Sequence, residues 1–357
     1  MKAVGTCLKG FEDIAVQEVK EISKLTSKKI IDGRIEIEYK TIDDIYRLIY
    51  SSRSLIKVYL LEQEFKFNKY DEIFDTFKEI KIKGAFKVKC NREGEHDFNS
   101  LDVEKQLGEI IFEQGHKVNL EEPETIVFVD IADNNCFIGY DLYEPELCKR
   151  DYKLKSSSFS LNSCFGYCLI RLSEWNEKEV LLDPYCKDGV IVIEAALFGK
   201  KVPVGYFRKD ELRFNFDFEK EDKKIKRIKM DITGSDPLLH NIKNCEINSK
   251  LADVKKDINL SRNDIDWLDT KFKEKNVDKV ITFLPSSTKR TSEKELTKFY
   301  KEFFYQLEYI IKDEGKMILA LNKDDLILKS LEHFKVSETR DVWVGGLKFK
   351  VLECMKE

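Results

Sequence analysis

From about residue 161 onward, short apolar stretches alternate with helical ones, and this alternation constrains the fold more than any other feature. EVLLDP, VIVIEAALF, ITGSDP, LLHNIKNCEINSK, VDKVITFLP, a long helical stretch over 292–312 and KMILAL follow one another in that order. Uninterrupted apolar strands set between helices are buried on both faces, which requires a parallel sheet covered on each side. In such α/β sheets ligands bind beyond the carboxyl ends of the strands, where the strand order reverses. The strand ends to inspect are therefore Asp183, Asp236 and Phe283.

The first 60 residues read as β-α-β-α-β, with KAVGTCL as the opening strand, Thr41 as the N-cap of the second helix and SLIKVYLLEQEF as the last strand. Residues 61–145 form a second module, with AFKVKCNRE as a strand, a helix capped by Ser100, and two strands joined at Asp133-Asn134-Asn135. Residues 146–160 are polar and read as a linker to the domain at 161–357. Within that domain, residues 200–230 are an insertion ending EKEDKKIKRIKM, which reads as a solvated surface segment in preference to a phosphate-contacting patch.

Lys+Arg is 62 and Asp+Glu is 66, a net charge of 62 − 66 = −4, so any affinity for nucleic acid must rest on a local patch. The N-terminus reaches Glu12 and Asp13 before a signal-like apolar run develops, and the longest apolar run, residues 190–198, contains Glu194. A soluble, cytoplasmic protein with no membrane contact is expected. Nine cysteines without a CxxC pair and four scattered histidines argue for reduced thiols and no metal site. Cys164 and Cys168, one helical turn apart, read as core.

Two carboxylates stand where a nucleoside would need them. Asp236 ends a strand and can accept both hydroxyls of a ribose, and Asp264 follows a third strand, where it can take an adenine amine. Each can equally be the cap of the next helix.

DPYCKDGVIVIEAAL, GSDPLLHNIKNCEINSKLADV, NDIDWL, DKVITFLPSSTKR and VWVGGLKFKVLE occur in the order and spacing of a known family. They resemble the class I, S-adenosylmethionine-dependent RNA methyltransferases with a THUMP domain, in particular those forming N2-methylguanosine in tRNA. In the N-terminal half, VGTCLKGFEDIAVQEVKEI resembles the family's ferredoxin-like module, FKVKCNREGEHDFNSLDVEKQLGEII its THUMP core, and KRDYK the segment that the family writes KRGYR. The resemblance implies a Rossmann-like α/β methyltransferase domain preceded by ferredoxin-like and THUMP modules, with S-adenosylmethionine as cofactor and tRNA, docked by its acceptor end, as partner. It leaves any protein partner or homodimer open.

Carried over residue by residue, the resemblance places the cofactor at Asp183, Cys186, Lys187, Asp188, Gly189, Asp236 and Asp264, and the base at Phe283, Leu284, Pro285 and Ser286. Asn248 matches an asparagine after the second helix, which the resemblance makes a structural cap. This chain departs from the family's DP-x-CGSGT, with Lys187, Asp188 and Val190 for Gly, Ser and Thr. Asp188 can cap the following helix and take the anion site there, with Lys187 as a pairing partner. The base loop departs further, because Phe283 replaces the Asn or Asp that accepts from the guanine amine and Ser286 replaces the stacking aromatic; Ser287 then stands where Gly is common. An aimed hydrogen bond and a base stack are each worth about 1–3 kcal/mol, although Phe283 can itself stack if re-aimed. Two functions follow: tRNA binding coupled to guanine-N2 methylation, or a catalytically inactive RNA-binding paralogue that keeps the domain as scaffold or interface. For RNA phosphates the THUMP strand and linker offer Lys87, Lys89, Arg92, Lys149, Arg150 and Lys153, interleaved with Glu93, Glu95 and Glu146, which equally suit a salt-bridged face.

Overall fold

The structure, a computed structural model, describes residues 1–286, 292–322 and 326–357. In the N-terminal half β1 (Lys2–Cys7), α1 (Glu12–Ser23), β2 (Thr26–Ile31), β3 (Arg34–Glu38), α2 (Ile42–Ser51) and β4 (Leu55–Lys66) are followed by α3 (Glu72–Thr76), β5 (Ala85–Glu93), α4 (Ser100–Glu113), β6 (Lys117–Val118), β7 (Thr125–Ala132) and β8 (Asn135–Asp141). The C-terminal half contains α5 (Ser163–Leu172), β9 (Leu181–Asp183), α6 (Val190–Gly199), α7 (Phe218–Asp222), β10 (Ile232–Asp236), α8 (Leu239–Leu251), β11 (Ile258–Arg262), β12 (Val277–Phe283), α9 (Glu293–Ile310), β13 (Ile311–Leu321), β14 (Phe334–Val344) and β15 (Leu347–Lys356).

The strands of the first half form a single sheet, ordered β2-β3-β1-β4-β8-β7-β5-β6. The cause is the length of β4, whose first part pairs with β1 and whose remainder, from Tyr59, pairs antiparallel with β8. Thr41 caps α2 in a capping box with Asp44, as its spacing predicts. The cap of α4 is Asn99 rather than Ser100, since the Asn99 side chain accepts from the N–H groups of Leu101 and Asp102.

The second sheet runs β11-β10-β9-β12-β13-β15-β14. Strands β9 to β13 are parallel, while β15 is antiparallel to both β13 and β14. The order reverses at β9, which lies between β10 and β12. One face of the sheet packs on α5 and α6 and the other on α9. Cys164 and Cys168 are buried in α5, as the reading of them as core requires.

The two halves share a core. Leu8, Phe11 and Ile14 belong to the same apolar cluster as α5 and α6, and the Phe11 and Phe165 rings lie 5.8 Å apart. Gly10, at φ +98°, sits so close to Asp341 that a Cβ would fall 2.3 Å from its carbonyl oxygen, so only glycine permits this approach. The insertion at 200–230 joins the halves a second time, and its aromatic part is no solvated segment. Phe214 stacks on Tyr46 at 4.2 Å, Phe216 and Phe218 meet Tyr50 edge-on, and Asp222 accepts from the Tyr50 hydroxyl at 2.7 Å.

The strongest tie is Glu194, fully buried in α6. It accepts from Arg53 at 2.8 Å, Arg150 at 2.9 Å and the Tyr152 hydroxyl at 3.0 Å. Burial pushes the Glu194 carboxyl up, but the charges of Arg150 and Arg53 outweigh it and hold the group below the usual glutamate range. Replacing Glu194 by Ala leaves two buried guanidinium groups unpaired, at a cost of about 3–5 kcal/mol. The expected result is a thermal unfolding midpoint several degrees lower. Because the folded pKa is depressed, the stabilisation by Glu194 is complete above the usual glutamate pKa and is lost as pH falls through the folded value. The gap between the unaltered protein and E194A, measured by calorimetry, should narrow on acidification.

Candidate functional site: the carboxyl ends of β9, β10 and β12

Asp183, Asp236 and Phe283 end adjacent strands at the point of reversal and are 1%, 0% and 5% exposed. Asp183, Cys186, Lys187, Asp188 and Phe283 line one small void together with Leu161, Tyr185, Val190 and Ile191. Asp264 lies apart from it, exposed at the end of the edge strand β11.

The turn from β9 into α6 is fixed by backbone bonds. Cys186 N–H donates to the Ser235 carbonyl at 2.8 Å, and Gly189 N–H to the Cys186 carbonyl at 2.8 Å. Gly189 has φ +88°, and a Cβ there would lie 2.2 Å from Cys245 Sγ, so this glycine is required. The Asp236 carboxylate accepts from Lys187 N–H at 3.0 Å, Leu238 N–H at 2.9 Å and Asn241 Nδ2 at 2.9 Å. In this arrangement it holds the turn and the start of α8 rather than standing open for a ribose.

Asp188 does not cap α6. Its carboxylate accepts from the Ser160 hydroxyl in the linker, and the helix starts at Gly189 without a side-chain cap. Asn248 is a clamp rather than a helix cap: it bonds both backbone groups of Lys155 (2.9 and 2.8 Å) and the Asp188 carbonyl (3.0 Å). Ser160 and Tyr185 are site residues that sequence reasoning missed, Ser160 because its partner is 28 positions away.

Lys187 governs the site. It adopts φ +51°, the left-handed region that glycine enters freely and that costs other residues on the order of 1–2 kcal/mol. Its Nζ lies 3.8 Å from the centre of the Phe283 ring, with Tyr185 and Phe159 at 5.9 and 6.0 Å. A desolvated cation–π contact of this kind is worth about 2 kcal/mol. Burial pulls the ammonium down to about 8, against the opposing charges of Asp183, Asp188 and Asp236. Burial likewise pushes Asp183 up to about 7.

These residues do not fit S-adenosylmethionine in this conformation. The void has a volume of about 10 Å³, room for one water at most, whereas pockets for ligands of this size span several hundred Å³. The side chain of Lys187 takes the space. Phe283 is not available to a base either, since it is buried, faces the Lys187 ammonium and meets Phe349 edge-on at 5.8 Å.

The rest of the base loop is tied to its neighbours. Leu284 N–H donates to the Ala320 carbonyl at 3.1 Å, the Pro285 carbonyl accepts from the Tyr300 hydroxyl at 2.7 Å, and Ser286 Oγ accepts from Asn322 N–H at 3.1 Å. Ser287 lies outside the described residues.

Of the six cations assigned to RNA, two are spent internally. Lys87 is buried with both oxygens of Glu144 at 2.7 Å, and Arg150 is buried on Glu194, which corrects their assignment to phosphates. Lys153 is partly buried and donates to the Leu161 carbonyl, and Arg92 donates to the Gly94 carbonyl at 3.1 Å. Lys89 and Lys149 line a cleft of about 440 Å³ between the eight-stranded sheet and residues 144–149. Arg34 and Lys57 also line it, and four carboxylates (Glu93, Asp141, Glu144, Glu146) balance these four cations.

Comparison with known proteins agrees with the architecture. The RMKL-like methyltransferase domain matches residues 150–349, and the THUMP domain matches residues 69–141. The chain is 29% identical over 341 residues to the tRNA (guanine(6)-N2)-methyltransferase of Methanocaldococcus jannaschii, covering 90% of this chain and 83% of that one. It is 24% identical over 367 residues to the Archaeoglobus fulgidus protein of the same name, covering 98% of this chain and 91% of the other. The crystal structure of SMU.472 complexed with SAH superposes at TM-score 0.82 with 18% identity, over all of this chain and 98% of that one, which shows the shared fold. The chain belongs to the RMKL-like methyltransferase family, carries a THUMP domain, and is similar along nearly its whole length to tRNA guanine-N2 methyltransferases.

Proposed function

We propose that this protein binds tRNA through its N-terminal half, with the acceptor end in the cleft lined by Lys89 and Lys149, and acts as a guanine-N2 methyltransferase-type protein. The observation that carries this reading is architectural. A THUMP sheet is joined by buried ion pairs to a methyltransferase sheet, and relatives with that name align over 90% and 98% of the chain. With tRNA as its partner, a cytoplasmic location is part of this reading; among the described residues no helix is long and apolar enough to cross a membrane.

Methylation of guanine N2 needs room for the cofactor, an acceptor for the amine and a face for the base. The acids at the strand ends are Asp236, which holds the turn, and the exposed Asp264, and the wall on the base side is the 283–286 loop, whose Phe283 faces Lys187. The alternative reading is tRNA binding without methyl transfer. Transfer of labelled methyl groups from S-adenosylmethionine to unmodified tRNA separates the two: incorporation at guanine supports the first, and retention of unlabelled tRNA supports the second.

The tRNA-binding claim has its own test. Deletion of residues 1–155 is uninformative, because it would expose the core shared with α5 and α6. Charge reversal at the cleft (Lys89→Glu with Lys149→Glu) is the cleaner experiment. Each cation at a phosphate contributes about one unit to the log–log salt dependence. Filter binding should therefore show affinity lower by at least about tenfold and a salt slope shallower by about 2. Unchanged binding would place the RNA elsewhere.

A further inference from the structure

We propose that Lys187 is the resident cation of the cofactor pocket: its ammonium occupies, against Phe283, the ground that a sulfonium cofactor would need. This rests on the methyltransferase-type reading of the domain. Four observations support it. The Lys187 side chain, 8% exposed, fills the space between the ends of β9 and β12, leaving a void of about 10 Å³. The ammonium lies 3.8 Å from the Phe283 ring centre and within about 6 Å of two further rings, so an aromatic surround suited to a cation already holds one.

The third observation is electrostatic. Asp183, Asp188 and Asp236 are almost completely buried around the same turn and favour the charged form of Lys187. A pocket with this sign of charge attracts a cation, and here the chain supplies it. The fourth is the pairing of the two departures from the family pattern. Lys187 and Phe283 stand where the resemblance implies a glycine and an acceptor, and the two side chains touch. An amide or carboxylate at 283 would offer no ring to the ammonium, and glycine at 187 would leave the ring uncovered.

The left-handed backbone at Lys187 makes glycine the natural probe, since it keeps the turn and removes only the side chain. Titration calorimetry is run with S-adenosylmethionine and, separately, with its uncharged product S-adenosylhomocysteine. Three folded full-length proteins are compared: unaltered, Lys187→Gly and Lys187→Met. The unaltered protein should show no saturable binding of either ligand up to 1 mM. K187G should bind, with at least about a tenfold preference for the cationic ligand, whereas K187M, which refills the space without charge, should not. Saturable binding of either ligand by the unaltered protein at or below 1 mM overturns the proposal. So does a folded K187G that binds neither ligand, because Lys187 is then not what closes the pocket. Should K187G fail to fold, acylation footprinting of the unaltered protein decides: Lys187 should label at least about tenfold more slowly than exposed Lys149, and equal labelling overturns it. Retention of tRNA by the same samples reports on the tRNA-binding reading independently.

Discussion

A single buried carboxylate holds the two halves of this molecule in one arrangement. Glu194 sits in the middle of an apolar helix, where an unpaired charge would be prohibitive. Arg53 reaches it from the end of α2, and Arg150 and Tyr152 reach it from the segment between the halves. Arg150 also donates to the Arg53 carbonyl at 3.0 Å, so the three chain segments are bonded to one another as well as to the glutamate. A second carboxylate, Glu18, fixes the same corner by accepting from the Ser52 hydroxyl at 2.6 Å and from Arg53 and Ser54 N–H at 2.9 Å. With that corner fixed, the eight-stranded sheet and the carboxyl edge of the seven-stranded sheet stand in a set relation.

The carboxyl edge follows the rules of its fold while changing its contents. The strand order reverses at β9, the turn into α6 needs glycine at 189, and the acid at the end of β10 is in place. Within that frame Lys187 accepts an unfavourable backbone conformation and a buried ammonium, and Phe283 gives that ammonium an aromatic face. Neither residue is easily understood without the other. A local rule broken twice at positions in contact is better explained as one coupled change than as two independent losses.

The alternation after residue 161 was enough to read a parallel sheet and to name Asp183, Asp236 and Phe283 as neighbouring strand ends, because period and apolarity report burial directly. Glu194 was visible as an anomaly in an apolar run, but its partners at 53 and 150 were not, since no spacing links them. The same blindness to distant partners put Lys87 and Arg150 on the RNA surface: composition cannot distinguish a solvated cation from one spent on a buried carboxylate. The alternating Phe214, Phe216 and Phe218 carry a signal of packing that a reading of the insertion from its charged end does not use. The departures at 187 and 283 were also plain in the sequence. Their contact was not, because it depends on β9 and β12 being adjacent.

The most direct measurement is equilibrium retention of differently labelled tRNA and S-adenosylmethionine by the unaltered protein in one sample, with each ligand also measured alone. Saturable retention of tRNA, with no saturable S-adenosylmethionine when tRNA is absent, is the predicted result. S-adenosylmethionine that saturates on the protein alone would contradict a pocket closed by its own lysine.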